Sequence, residues 1–167
     1  TTGHELVAAV SLLTPGKILE SNGPMLKAAL HEIGLHPWLA GITDDQPQAL
    51  RQHLADTLEN ADVILITGGV SVGDYDFTRP VLEELGITPL FWGVAQKPGK
   101  PLFAGTFADK LVFGLPGNPY AVFVCTYLFI RPVLLTLMGH PHPELRTEQV
   151  KLSRPFEKKD NRTHFLK

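Results

Sequence analysis

A glycine-rich turn flanked by hydroxyl side chains is the part of this sequence that could most directly do chemistry. Residues 67–74 read Thr-Gly-Gly-Val-Ser-Val-Gly-Asp and follow the aliphatic run at 63–66. Such a run is typical of a buried parallel strand, and open α/β sheets bind ligands beyond the carboxyl ends of their strands. Backbone N–H groups freed by the glycines, together with the Ser71 hydroxyl, could therefore hold a phosphate. A tight strand-to-helix turn without a ligand is the alternative interpretation.

Carboxylates lie near this turn in the predicted fold. Asp74 and Asp76 follow the glycines, and the pair Asp44-Asp45 ends the neighbouring strand-to-helix crossing. Carboxylates beside a phosphate site indicate Mg²⁺, which prefers hard oxygen ligands. Helix capping is the competing explanation, because aspartate often precedes a helix for that reason alone. Capping fits Asp45 best, whereas a functional role fits Asp76 better.

Two proline-containing turns could supply further groups that bind anions. Residues 97–101 (Lys-Pro-Gly-Lys-Pro) present Lys97 and Lys100 on a rigid turn, and lysine binds oxyanions as a point charge. Residues 115–119 (Leu-Pro-Gly-Asn-Pro) place the Asn118 amide at the start of a long helix, which is again a favourable position for an anion. A solvated loop is the alternative for the lysine turn.

Composition and charge exclude several function classes. The formal net charge is -2, so no basic field attracts nucleic acid or an anionic membrane, and any bound anion must be held by local groups. The only cysteine, Cys125, lies in an apolar run and is expected to be a small buried hydrophobe. The longest apolar stretch, 120–130, is shorter than the roughly 20 residues that cross a bilayer. We expect a soluble, cytoplasmic protein with a small-molecule substrate.

Helices and strands alternate along the chain and must position these residues. Apolar periodicity and turn residues predict helices at 22–33, 47–59, 76–85 and 119–138, and strands at 36–42, 63–66, 87–94, 102–104 and 110–113. Asn22 is the expected cap of the first helix, and Pro132 should kink or restart the last one. The alternation predicts an α/β protein with a three-layer, doubly wound, mostly parallel sheet.

The character of the chain changes after residue 139. We assign residues 1–143 to the α/β domain and expect its first strand to be missing, because the chain opens on a turn-like segment. Residues 140–143 (His-Pro-His-Pro) form a linker, and residues 150–152 have the pattern of a strand. We assign residues 144–167 to the truncated start of a second, β-rich domain.

Five motifs in a fixed order carry a family resemblance. They are Thr-Gly-His-Glu-Leu at 2–6, Gly-Lys-Ile-Leu-Glu-Ser-Asn at 16–22 with Asp-Asp at 44–45, Gly-Gly-Val-Ser-Val-Gly-Asp-Tyr-Asp at 68–76, Lys-Pro-Gly-Lys-Pro at 97–101 and Leu-Pro-Gly-Asn-Pro at 115–119. This order resembles the molybdopterin-binding domain of molybdopterin molybdenumtransferases, the bacterial MoeA type, which is related to the E domain of gephyrin and of its plant counterpart. The resemblance covers residues 1–139, and the tail resembles the opening of the family's C-terminal β-barrel.

The resemblance implies a reaction and a set of residue roles. The family cleaves adenylylated molybdopterin with Mg²⁺ and inserts molybdate at the dithiolene, acting as a homodimer supplied by an adenylylating partner enzyme. By motif, Asp44 and Asp76 would lie near the metal and the molybdate, and Lys97 and Lys100 would hold an oxyanion. The residues expected around the pterin and its phosphate are Gly68, Gly69, Ser71, Gly73, Asn22, Pro116, Gly117 and Asn118.

Some positions depart from the family pattern. Gly93 stands where a basic residue is common, His4 replaces a common aspartate, and Tyr120-Ala121 replaces Val-Ser. We expect the fragment alone to bind weakly and not to turn over. Competence/damage-inducible pyrophosphatase relatives read Gly-Gly-Leu-Gly-Pro-Thr at the glycine turn, and the adenylylating enzymes read Thr-Gly-Gly-Thr-Gly, so neither fits. A non-catalytic scaffold of the gephyrin type stays an alternative, although no residue pattern here encodes its partner.

Overall fold

The computed structural model describes residues 1–69 and 78–166. The strands are β1 (Leu6–Val7), β2 (Ile18–Leu19), β3 (Val63–Thr67), β4 (Thr88–Trp92), β5 (Gln96–Lys97), β6 (Phe103–Phe107), β7 (Lys110–Leu115) and β8 (Thr163–His164). The helices are α1 (Asn22–His31), α2 (Pro47–Asn60), α3 (Thr78–Glu84), α4 (Pro119–Cys125) and α5 (Arg131–Leu137), with a short 3₁₀ turn at Val10–Leu12 and a π-helical turn at Thr126–Ile130.

The central sheet has four strands in the order β3-β7-β6-β4. Strands β3 and β7 are parallel, and β7 pairs with β6 as an antiparallel hairpin. Strand β4 is antiparallel to β6, so it runs in the same direction as β3 and β7. The carboxyl ends of these three strands therefore lie at one edge of the sheet, which is where α/β proteins bind their ligands.

Helices cover both faces of this sheet. One core cluster packs α2 and α3 against Ile64 and Val112, and the other packs α1, α4 and α5 against Phe113 and Leu115. Adjacent residues of β7 such as Val112 and Phe113 belong to opposite clusters, as expected from the two-residue period of a strand. The predicted three-layer α/β architecture is confirmed.

Parallel pairing extends beyond the central sheet. Strand β1 pairs with β2, β5 pairs with β8, and Thr2 forms a parallel bridge to Thr43. Antiparallel pairing among the described residues is confined to the β6–β7 hairpin and the neighbouring β4.

The last helix restarts next to Pro132, as expected. After α4, the π-helical turn inserts before α5, and the backbone N–H of Arg131 donates to the carbonyl of Thr126, five residues back. Pro132 falls in the first turn of α5, a position that tolerates its missing N–H. Over Pro119–Leu137 the helix is long and apolar enough to cross a membrane, yet 44% of it is buried. Its inward side chains join the core, which is the arrangement of a core helix.

Two predicted strands are wrong. Residues 36–42 form no strand, because Pro37 and Gly41 break the apolar pattern and Trp38 stays exposed. Residues 150–152 are exposed and irregular. In the described part of the tail, the pairing strand is instead β8. Helix α1 also ends at His31, two residues before the predicted end, and the predicted start of the third helix at 76 lies outside the described residues.

Candidate functional site

Thr2 lies between Thr43 and Thr67, the last residue of β3, at the carboxyl edge of the sheet. Its backbone N–H donates to the carbonyl of Thr67 at 2.8 Å, and it bridges to Thr43 on its other side. On the far side of β3, the N–H of Gly68 donates to the carbonyl of Leu115 at 3.2 Å. The segments that follow residues 43, 2, 67 and 115 therefore lie side by side.

The glycine pair after β3 is required by close packing. Gly68 and Gly69 have φ angles of +80° and +67°, a region that side chains rarely adopt. A Cβ on Gly68 would lie 2.5 Å from the Thr2 carbonyl oxygen, and one on Gly69 would lie 2.5 Å from Thr78 Oγ1. Because the Gly68 N–H is bound to Leu115, only Gly69 of this pair could turn its N–H to an anion.

Asp44 lies beside this glycine pair. A small recess at the edge is lined by Thr2, Asp44, Asp45, Gln46, Leu50, Gly69 and Thr78. Asp44 is exposed at its mouth. The expected convergence of a carboxylate on the glycine turn is thus present for Asp44, whereas Ser71, Gly73, Asp74 and Asp76 lie outside the described residues.

Asp45 was expected to cap the second helix, but it does not. Gln46 is the N-cap of α2, and no side chain makes a capping bond there. The Asp45 carboxylate instead accepts a hydrogen bond from the backbone N–H of His4 at 3.3 Å. The position of Asp45 is set by a segment more than 40 residues away in sequence. The local sequence pattern therefore predicted the wrong hydrogen-bond partner for its carboxylate.

His4, Glu5 and Asp45 bring three metal-ligating groups together, a group that histidine spacing did not indicate. Nδ1 of His4 lies 3.5 Å from Oδ2 of Asp45 and 3.7 Å from Oε2 of Glu5. This is the one such group among the described residues. All three side chains are partly or largely exposed, and the Lys17 ammonium donates to the carbonyl of His4.

Asn22 is buried against the turn after β7 and does not cap α1. Its side-chain Nδ2 donates to the carbonyl of Gly117 at 3.0 Å, while its Oδ1 is buried without a partner. The capping role belongs to Glu20, whose Oε1 accepts the N–H of Gly23 at 2.7 Å. The Glu20 carboxylate also accepts from Thr1 Oγ1, which in turn accepts from Thr67 Oγ1, both at 3.1 Å. The start of α1 is thereby fixed to the site edge.

The residues of the turn at 116–118 have two roles: Pro116 and Gly117 line the site edge, and Asn118 caps α4. Pro116 is buried and Gly117 is exposed, and a Cβ on Gly117 would lie 3.8 Å from Gly68 Cα. The side-chain oxygen of Asn118 accepts the backbone N–H groups of Tyr120 and Ala121. Asn118 is therefore the N-cap of α4, which leaves its amide nitrogen as the group that could contact an anion.

The lysine turn extends from the β4–β6 pair at the same edge. Val94 and Gly93 donate to the carbonyls of Lys100 and Leu102 at 2.9 and 2.7 Å, so the turn continues the ribbon past the sheet. Lys97 and Lys100 are exposed at its tip.

A buried polar pair supports the lysine turn from below. Nε2 of Gln96 lies 3.5 Å from both the Gly99 carbonyl oxygen and Cys125 Sγ. A Cβ on Gly99 would lie 2.5 Å from Gln96 Nε2. Burial raises the pKa of the Cys125 thiol to about 11, partly offset by the hydrogen bond from Gln96. Cys125 is fully buried, as expected, and supports the lysine turn.

Among the described residues, Asp44 and the lysines do not meet at one point. Between them along the edge lie the segment at Thr2 and the ends of β3 and β7. With neighbouring strands about 4.8 Å apart, Asp44 and the lysine turn are separated by roughly 20 Å. The edge thus has a negative end at Asp44 and a positive end at the lysine turn. The glycine turns, namely Gly68-Gly69 after β3 and Gly117 after β7, lie between these two ends.

Several residues that shape this edge carry no local sequence signal. They are Thr2, Glu20, Thr78 and Gln96. Thr2, Glu20 and Gln96 contact residues distant in sequence, and Thr78 is buried against Gly69. Only the Thr2-Gly3 step could have been noticed, because it opens the first motif.

Comparison with known proteins identifies the family of this chain. Residues 1–136 match a family model described as "Probable molybdopterin binding domain". The chain is 42% identical over 142 residues to a molybdopterin molybdenumtransferase of Nostoc, which covers 83% of this chain and 33% of that protein. It is 35% identical over 166 residues to the molybdopterin molybdenumtransferase of Bacillus subtilis, covering 99% of this chain and 39% of that protein.

A solved structure shares the fold at similar identity. The molybdopterin biosynthesis MoeA protein from Pyrococcus horikoshii superimposes with a TM-score of 0.76 and 34% identity, over 84% of this chain and 34% of that one. The chain therefore spans little more than a third of the length of these relatives. Because the family model matches most of its residues, the protein belongs to the molybdopterin-binding domain family.

Proposed function

We propose that this chain binds adenylylated molybdopterin along the carboxyl edge of its sheet and that, within a protein of its relatives' length, it takes part in inserting molybdate. The observation that carries the proposal is the layout of the edge. Glycine turns lie between a carboxylate end at Asp44 and a cationic end at Lys97 and Lys100. An elongated ligand with phosphate groups fits such a layout better than a compact one.

Each end has a distinct chemical task. The ammonium groups of Lys97 and Lys100 neutralise an oxyanion, either phosphate or molybdate. Gly69 offers a backbone N–H to a phosphate in the middle of the edge. Pro116 and Gly117 form the wall beside it, and Gly117 in particular leaves room for a ligand to approach the backbone.

The carboxylate end suits Mg²⁺. Asp44 and Asp76 would hold the ion, and Asp44 lies at the mouth of the recess that reaches Gly69. Carboxylate oxygens are the hard donors that Mg²⁺ prefers, so the donor set of this end fits. When bound, Mg²⁺ would offset negative charge on the phosphates while the adenylate is cleaved.

The test is an anaerobic calorimetric titration of molybdopterin into the full chain, with and without Mg²⁺. We expect Lys97→Ala to weaken binding about 10- to 100-fold, because a charge-assisted hydrogen bond is lost. Asp76→Ala should abolish the strengthening by Mg²⁺ while leaving the metal-free affinity unchanged.

Matched controls lie at the opposite edge of the sheet. Lys110 and Asp109 lie at or before the start of β7, so Lys110→Ala and Asp109→Asn should bind as the wild type does. Equal weakening by Lys97→Ala and Lys110→Ala would contradict a local site. Absence of any binding to the wild-type chain would favour the scaffold alternative.

We also infer that the full-length protein is a cytoplasmic homodimer that receives its substrate from an adenylylating partner enzyme. The motif order supports this inference. Light scattering on the full-length protein tests the dimer, and a monomer at micromolar concentration would contradict it.

A further inference from the structure

The lysine turn is held in place by a segment near residue 165. Strand β8 pairs in parallel with β5, with His164 opposite Lys97. The N–H of Thr163 donates to the carbonyl of Ala95 at 2.8 Å, and the N–H of Phe165 donates to the carbonyl of Lys97 at 2.9 Å. The backbone on both sides of Gln96 is therefore fixed by this segment.

A polar cluster orders this segment in turn. The Asp160 carboxylate accepts from Nε of Arg162 at 2.9 Å and from the backbone N–H of Arg162 at 3.0 Å. Oδ1, the oxygen that accepts the Arg162 backbone N–H, also lies 2.8 Å from Nε2 of His164, whose side chain is only 13% exposed. The bond between the Arg162 guanidinium and the Asp160 carboxylate joins two charged groups, and such bonds are stronger than neutral ones.

A further contact joins the segment to the neighbouring turn. The phenol of Tyr120 donates to the carbonyl of Phe165 at 3.3 Å, and Tyr120 lies in the first turn of α4, two residues after the Asn118 cap. Phe165 thus contacts both the lysine turn and the start of α4 through its backbone.

We propose that Asp160, Arg162 and His164 form a positioning cluster that, through β8, holds Lys97 at the cationic end of the site. None of the three needs to touch the ligand. The inference rests on the proposed function, because it assumes that Lys97 binds an anion.

The physical reason is the flexibility of lysine. Its ammonium is carried on a four-carbon stem, and binding must freeze that stem. Ordering a rotamer-rich side chain costs free energy on association. If the backbone that carries the lysine were also mobile, that cost would rise and the affinity would fall. Fixing the Lys97 carbonyl in advance removes the backbone part of the cost.

The experiment measures pairing and binding in the same variants of the full chain. Amide hydrogen exchange at Thr163 and Phe165 reports the β5–β8 pairing, and anaerobic titration with molybdopterin reports affinity. We expect Arg162→Ala to speed exchange at both amides and to weaken binding about five- to ten-fold. The matched control is Arg154→Ala, an exposed arginine of the same tail, which should change neither quantity.

A double-mutant cycle separates positioning from general destabilisation. In the Lys97→Ala background, Arg162→Ala should have no further effect on affinity, because the group that it positions is gone. Equal weakening in both backgrounds overturns the positioning proposal, and so does unchanged affinity in Arg162→Ala with the pairing lost. If the wild-type chain binds no molybdopterin, the proposed function fails, and the positioning proposal fails with it.

Discussion

The side-chain nitrogen of Asn22 donates to the backbone carbonyl of Gly117 at 3.0 Å and so ties the first turn of α1 to the turn after β7. Asn22 is buried, so its side chain makes this hydrogen bond largely away from water, where the bond contributes to stability. We expect Asn22→Ala to lower the free energy of unfolding by about 1 to 2 kcal/mol. Urea denaturation measures this.

The matched control for Asn22 is Asn60, which also donates to a backbone carbonyl but on the exposed end of α2. Asn60→Ala should cost less than about 0.5 kcal/mol. Similar losses in the two variants would show that the bond to Gly117 is energetically unimportant.

The glycine turn predicts a graded response to added methyl groups. Gly34 and Gly68 have nearly equal φ angles, +83° and +80°, but a Cβ on Gly34 meets nothing within 4 Å, whereas one on Gly68 meets the Thr2 carbonyl at 2.5 Å. Gly34→Ala should lower the free energy of unfolding by about 1 kcal/mol, because only the left-handed backbone conformation is unfavourable for alanine there. Gly68→Ala should cost about 3 kcal/mol because it also displaces the backbone of Thr2. Denaturation midpoints that shift equally would refute the close approach.

The Cys125 thiol predicts a loss of stability in alkali. Burial raises its pKa from 9.0 to about 11 in the folded chain. The folded chain therefore favours the neutral thiol over the thiolate. The contribution of this thiol to the free energy of unfolding is complete below pH 9 and is lost as the pH rises to about 11. The free energy of unfolding of the wild type should therefore fall more steeply over this interval than that of Cys125→Ala. Parallel curves for the two proteins would contradict the prediction.

Acid should release the segment that pairs with the lysine turn. The hydrogen bond from Arg162, and after it the one from His164, hold the pKa of the Asp160 carboxyl well below its ordinary value of 3.8. Because the pKa is lowered in the folded chain, the ionised Asp160 carboxylate stabilises the fold fully above the ordinary value of 3.8. This stabilisation is lost as the pH falls below 3.8 towards the lowered pKa. Protection of the Phe165 amide from exchange should therefore decrease below pH 4, a figure that is about the ordinary pKa of aspartate.

The comparison for this pH effect is Asp160→Asn, which cannot titrate. Its Phe165 amide should be less protected at neutral pH and should show no further loss of protection on acidification. The same acid response in both proteins would assign the effect to another group.

The layered α/β architecture could be predicted because it depends on local patterns. The aliphatic run that became β3 and the leucines of α2 are buried as their spacing indicates. The glycine pair could also be located, because a buried strand that ends at two glycines must turn there. In each case the signal lies within about ten neighbouring residues.

The details of the site depend on contacts that no local pattern reveals. Asp45 and Asn22 have the residue types of helix caps, yet Asp45 binds the backbone of His4 and Asn22 binds that of Gly117. Residues 150–152 look more like a strand than Thr163–His164 does, but only the latter lies where Gln96–Lys97 offers free backbone groups. Tertiary position decided both outcomes.

The parallel pairing of β5 with β8 also sets an order of events during synthesis. The chain grows from its amino end, and residues 98–162 must be translated before β8 can pair with β5. The glycine turns and the wall at Pro116 can form while translation continues. Contacts between distant segments form late in folding because the intervening loop must close first. A ribosome that stalls before Thr163 would therefore hold a nascent domain whose central sheet can form but whose lysine turn is not yet paired with β8.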